Sequence, residues 1–169
     1  GRFDLVNCVG VLMVLSDPVA GLRRLQEALL PDGGMVLMVY AYYGRRAVAA
    51  LSESARLLAR AAGVDGQSAE GLDLAKALRD EFPAHSGVHR WTGGLRDASG
   101  VSYPDAHFVD DFLHRNYRDY TLREALGLLA SAGLRASGFV APALYDPAQY
   151  LRTGRSAAVN AALARMPWL

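Results

Sequence analysis

Lysine is almost missing from this chain: of its 18 basic residues only Lys76 is not arginine, and 17 acidic residues balance them to a net charge of +1. With no excess of one sign, and with the arginines scattered, a nucleic acid or an anionic membrane surface is not the expected partner. Cysteine is equally scarce. The single Cys8 excludes an internal disulfide and a cysteine-based zinc site, and a cytoplasmic setting is the natural expectation. No run approaches the roughly 20 apolar residues of a membrane helix, and the first residues lack the pattern of a signal peptide. An initiator methionine is also absent, and Phe3 to Val11 is apolar apart from Asp4, Asn7 and Gly10, so the sequence reads as opening inside a buried strand, as a fragment would.

What is present is ample for a hydrophobic core, 51% of 169 residues. Phe3-Asp4-Leu5-Val6-Asn7-Cys8-Val9 has the composition of a parallel strand covered on both faces. Ser16-Asp17-Pro18 then caps a helix whose apolar positions, Val19, Leu22, Leu25, Ala28 and Leu29, recur at helical steps. Pro31-Asp32-Gly33-Gly34 is expected to end that helix, and Met35 to Tyr42 to form a second strand, completing a right-handed β-α-β unit. A long helix is predicted from Arg45 to Ala62, with its stripe at Val48, Leu51, Ala55, Leu58 and Ala62, and another from Ser68 to Phe82. Pro83 to Asp105 reads as a loop, and His107 to His114 as a short helix. Thr121 to Ala132 reads as a firmer helix, capped by Thr121 with Glu124 and stopped by Gly133. Leu134 to Val140 is expected to return as a strand, followed by Asp146-Pro147 and an alanine-rich tail.

Two parallel strands and one later strand leave open edges, so the pattern implies further strands outside this chain and the second half of a doubly wound α/β fold. The ordered set Phe3-Asp4-Leu5-Val6 running into Gly10-Val11-Leu12, then Asp17-Pro18, then Leu25 to Gly34, resembles the class I S-adenosylmethionine-dependent methyltransferases. Asp110 to His114, Tyr120 to Glu124 and Ala132 to Arg135 look like a bacterial subgroup with a helical insert over the site. The resemblance implies a partial Rossmann-like methyltransferase core at 1–43 and 121–169 with a mostly helical cap at 44–120. It also implies a glycine-rich cofactor loop and a ribose-binding acidic residue before residue 1. Met13-Val14 stands where the family often has two histidines, so no proton transfer can be assigned there.

On that resemblance Asn7, Cys8, Val9, Gly10 and Val11 would line S-adenosylmethionine, largely through backbone groups. Tyr40 and Tyr42 at the end of the second strand, with Arg115, would hold a small or medium organic acceptor. His107, Asp111 and His114 share one face of the predicted short helix and are the candidate catalytic set, with His114 preferred as base because its ordinary pKa lies near neutrality. Their four-and-three spacing also permits a metal, although a solvated face is the commoner meaning and no metal is expected. A nicotinamide-dependent oxidoreductase shares the layered architecture but is disfavoured by the Pro-Asp-Gly-Gly turn, and a non-catalytic α/β binding module is the third reading.

Overall fold

The computed structural model describes residues 1–92, 104–145 and 156–165. The chain is mixed α/β and divides into two compact units, Gly1–Leu134 and Arg135–Leu169.

The first unit opens with the expected parallel crossover: β1 (Phe3–Val9), α1 (Pro18–Ala28) and β2 (Leu29–Met38). α1 starts where the Asp17 carboxylate accepts the Ala20 N–H at 2.9 Å, with Pro18 in the first position, where its missing donor is not needed. The helix ends earlier than expected. Leu29 is already extended, and Pro31 to Gly33 do not separate helix from strand but lie inside β2 as an irregularity in the pairing. Phe3 pairs with Leu29 and Leu5 with Gly34, so a short step on β1 faces a longer excursion on β2. Glycine suits this point, because a Cβ on Gly33 would sit 3.0 Å from the carbonyl oxygens of Leu30 and Phe3, closer than ordinary contact.

β2 also stops sooner than the predicted Tyr42, but the sheet direction continues through a single parallel bridge between Ala41 and Tyr120. The Tyr120 N–H donates to the Tyr40 carbonyl at 2.8 Å, and the Tyr42 N–H to the Tyr120 carbonyl at 2.9 Å. Directly after this bridge, α6 (Leu122–Ser131) begins with the anticipated reciprocal cap. Thr121 Oγ1 accepts the Glu124 N–H at 3.2 Å, and Glu124 Oε2 accepts the Thr121 N–H at 2.8 Å. At the far end of α6 the Arg23 guanidinium of α1 donates to the Ser131 carbonyl at 3.0 and 3.2 Å, satisfying a terminal acceptor. Between the sheet and these helices lies one core, formed by Cys8, Leu12, Met13, Leu22, Tyr120 and Leu128 with their neighbours.

Between Ala41 and Tyr120 the chain builds a second, separate core. α2 (Arg46–Ala62), α3 (Ala69–Glu81), α4 (Gly87–Thr92) and α5 (Asp105–Phe108) surround Val48, Leu51, Ala55, Ala75, Val88 and Phe108. α3 is capped by Ser68 Oγ, which accepts the Gly71 N–H at 3.1 Å. The helix α4 lies within the stretch read as loop. The Ser86 hydroxyl initiates it by accepting the His89 N–H at 3.1 Å, a local signal that the surrounding glycines masked. The glycines Gly93, Gly94 and Gly100 of that predicted loop lie outside the described residues.

α5 runs into a π-helical turn, Val109–Leu113, and His114 is extended. The predicted helix over 107–114 is therefore shorter at its end, and its wider last turn changes which side chains share a face.

The predicted strand over 134–140 does not appear among the described residues: that stretch is neither helix nor strand and pairs with no described strand. An apolar run of that length acquires strand structure only through a neighbouring backbone. In the second unit, Phe139 stacks on Tyr145 with centroids 4.0 Å apart, beside a 3₁₀ turn at Pro142–Tyr145. The helix α7 (Ala157–Leu163) is capped by Ser156. Asp146-Pro147 and Trp168-Leu169 lie outside the described residues. Among those described, no helix is long and apolar enough to cross a membrane.

Candidate functional site

Open α/β sheets present ligand sites beyond the carboxyl ends of their strands. At this edge β1 is followed by Gly10, whose φ of +73° is left-handed and favours glycine; another residue there costs about 1 kcal/mol or more. Space is open above it, the nearest neighbour of an added Cβ being Met38 Cε at 4.0 Å. Of the residues expected to line a cofactor, Asn7, Val9 and Val11 are exposed, and Gly10 is half-buried. Cys8 points the other way, into the core, and burial pushes its thiol above its ordinary value, so it is a packing residue and not a nucleophile.

The carboxyl end of β2 carries a polar cluster built around Arg45. This residue directly precedes α2, its N–H donating to the Ala41 carbonyl at 3.0 Å, which aims the side chain across the strand end. Its guanidinium carbon lies 3.7 Å from the centroid of the Tyr40 ring. Nε donates to Tyr117 Oη at 2.9 Å, and Nη2 donates to the Asp111 carbonyl at 3.1 Å and to its carboxylate at 3.4 Å. The Tyr40 hydroxyl donates to the same carboxylate at 3.2 Å, the Tyr117 hydroxyl donates to Asp119, and Asp119 lies 3.9 Å from Arg45 Nε. The side chains of Arg45, Asp111 and Asp119 are 11%, 13% and 6% exposed, so these interactions are only weakly screened.

Burial dominates the acidities. It pushes Tyr117 well above the ordinary phenol value, with the hydrogen bond to Asp119 adding to the rise, and raises Tyr40 with help from the charge of Asp111. Both phenols are therefore neutral donors at physiological pH. Burial also holds the Asp119 carboxyl above the usual carboxylate range, against the opposing pull of Tyr117 and Arg45.

Beside this cluster is a cleft of about 250 Å³. Ser16 and Pro18 form one wall, where α1 begins, and Arg115, Asn116, Arg118 and Tyr120 form the other. The walls are tied together by the Arg118 N–H, which donates to the Met13 carbonyl at 3.0 Å.

The structure thus joins some of the predicted site residues and separates others. Tyr40 and Asp111 are hydrogen-bonded partners, and Arg115 lines the neighbouring cleft. Tyr42 turns aside: it packs edge-on against Tyr43 and under the Arg46 guanidinium. His107 is exposed on α5. His114, beyond the helix, uses its Nδ1 to accept the Asn116 N–H at 3.3 Å. Among the described residues no three His, Cys, Asp or Glu side chains are grouped to hold a metal ion.

Arg45 and Asp119 are the members that the sequence does not single out, whereas Tyr117, with Arg115, Arg118 and Tyr120, reads from it either as a group for an anionic part of a substrate or as a basic loop rim. The only signal of Arg45 and Asp119 is local composition, an arginine pair after a strand-ending Tyr42-Tyr43-Gly44 and a Tyr117-Arg118-Asp119-Tyr120 run. No periodicity connects positions 66 to 72 residues apart.

No protein-family model matches the chain. Over 142 residues it is 30% identical to an uncharacterized protein of Synechococcus sp., an alignment covering 82% of this chain and 32% of that protein. The chain spans about a third of the length of the curated relative it matches.

Proposed function

We propose that the chain contributes to an S-adenosylmethionine-dependent methyl transfer to a small or medium organic acceptor, as part of a Rossmann-like sheet with a helical cap. The observation that carries this reading is the parallel β1-α1-β2 unit, whose carboxyl edge is faced by a cap segment bearing Asp111. The residues present fit one part of the cofactor: left-handed Gly10 leaves open space at the end of β1, and Asn7, Val9 and Val11 are exposed beside it. These residues would hold the cofactor, which supplies an electrophilic methyl group when bound.

The chain's own contribution is positioning. Holding an acceptor in line is worth several kcal/mol, and a base is needed only for a protonated nucleophile. Arg45 locks the Tyr40 ring and the Asp111 carboxylate together, so the wall facing an acceptor is pre-ordered. Asp111 accepts from Tyr40 and Arg45 at once, which fixes where its carboxylate stands to orient a donor on the acceptor.

Calorimetric titration with S-adenosylhomocysteine tests the reading. The complete reading frame is expected to bind it, and the 169-residue chain to bind weakly or not at all, since no glycine-rich loop or ribose carboxylate was found in its sequence. No binding by the complete reading frame refutes methyl transfer. Tight binding by this chain alone refutes the assignment of the cofactor loop to preceding sequence.

A further inference from the structure

Arg115 and Arg118 stand three residues apart on the segment that forms one wall of the cleft. Both guanidinium groups already meet carboxylates: Arg115 Nη2 lies 2.8 Å from Asp65, and Arg118 Nη2 lies 3.3 Å from Glu124. The side chains of these pairs are between 45% and 67% exposed. Pairs this wet are worth at most about 1 kcal/mol, so an incoming anion displaces or bridges them at little cost. The Arg118 guanidinium is also held over the Tyr120 ring, its carbon 4.8 Å from the centroid, which limits its search to the mouth of the cleft.

Tyr120 also lines the cleft, but it is 4% exposed and its phenol oxygen is buried out of a ligand's reach. Asn116 and Ser16, which line it too, supply an amide and a hydroxyl able to donate. The start of α1 adds little, because Asp17 already occupies its cap and places a negative charge there.

We propose that this cleft binds the oxyanion of an acidic small molecule, a carboxylate or a phosphate, with Arg115 and Arg118 as charge partners and Asn116 and Ser16 as neutral donors. The identification of that molecule as the methyl acceptor rests on the methyl-transfer reading; the anion site itself does not. A volume of about 250 Å³ falls just below the range of sites for drug-sized ligands, which suits a compact acid or the acidic end of a larger one.

The test is an NMR titration of the 169-residue chain with sodium phosphate, and separately with sodium benzoate, each against sodium chloride at matched ionic strength. Saturable shifts are expected at the Asn116 side-chain amide and at the Nε–H groups of Arg115 and Arg118. Arg115→Gln with Arg118→Gln should weaken binding roughly tenfold or more, the loss of charged hydrogen bonds, with the fold unchanged because both side chains are exposed. Saturation by benzoate alone assigns a carboxylate, saturation by phosphate alone a phosphate, and either upholds the site. Shifts that match chloride, or that persist in the double variant, overturn it. If the anion binds while the complete reading frame fails to bind S-adenosylhomocysteine, the site stands and its role as acceptor site falls.

Discussion

In the helical body, Val48, Leu51 and Phe108 are 0–1% exposed, whereas on β1 the side chains of Phe3, Leu5 and Val9 are 50–64% exposed. Both segments are equally apolar in sequence. They differ in where their partners come from. A helix satisfies its backbone internally, and α2 finds cover for its stripe in α3, α4 and α5, all supplied before residue 114. A parallel strand depends on other strands for its hydrogen bonds and on other elements for both faces; among the described residues β1 has β2 beside it, and only its Cys8 side is buried. Apolar composition thus measures a demand for burial, while topology decides whether the demand is met within these residues.

Phe108→Ala strikes the closed core and should have the largest effect, destabilising the helical body by about 3–5 kcal/mol, read from urea unfolding. A loss below about 1 kcal/mol would show that this core is loosely packed and erase the contrast. Arg45→Gln, at the junction of the two regions, should cost about 3 kcal/mol, because it strands two carboxylates that are only slightly exposed. If Asp111→Asn in that background recovers none of the loss, the cluster is not held by the ion pair.

A smaller effect is expected from pH. The folded chain binds the Asp119 proton more tightly than an unfolded chain does, since burial raises its carboxyl. That contribution is fully present below the ordinary carboxylate pKa and is lost as pH rises through the raised value. Asp119→Asn should therefore gain stability relative to the parent as pH rises from about 4 through the raised value. The opposite trend would mean that Arg45 outweighs burial at this carboxyl. Least affected is the exposed strand face, where Leu5→Ser should change the stability of this chain by no more than about 0.5 kcal/mol. A loss above about 2 kcal/mol would reveal cover on that face.

What was legible in the sequence was local. Asp17-Pro18, Ser68 and the pair Thr121 and Glu124 announce helix starts because a cap is made within three residues, and all of them hold in the structure. The parallel unit was legible because two apolar runs flank one amphipathic helix. Reading failed where structure depends on distant partners. Leu134 to Val140 has strand composition and no strand pairing, and Pro31 to Gly33, a turn by composition, is accommodated inside β2 because Phe3 and Leu5 set the register. The polar cluster divides in the same way. Tyr40 was singled out from its place at a strand end and Asp111 from its helix face, but Arg45, embedded in a helix-forming run, gave no sign that it would join them.

The bridge between Tyr40, Tyr42 and Tyr120 bears on the order of folding. Closing it directly in an unfolded chain means paying the loop entropy of the entire helical segment at once, before any compensating contact exists. Packing of α5 and the turn after it against α2 closes most of that loop within the helical body itself, which brings the two ends of the segment close together before the bridge forms. Thr121 then begins α6 one residue after the bridge, so nucleation of that helix and closure of the sheet become a single late event. Substitutions in α6 should accordingly appear mainly in the unfolding rate, and those in α2 in the folding rate.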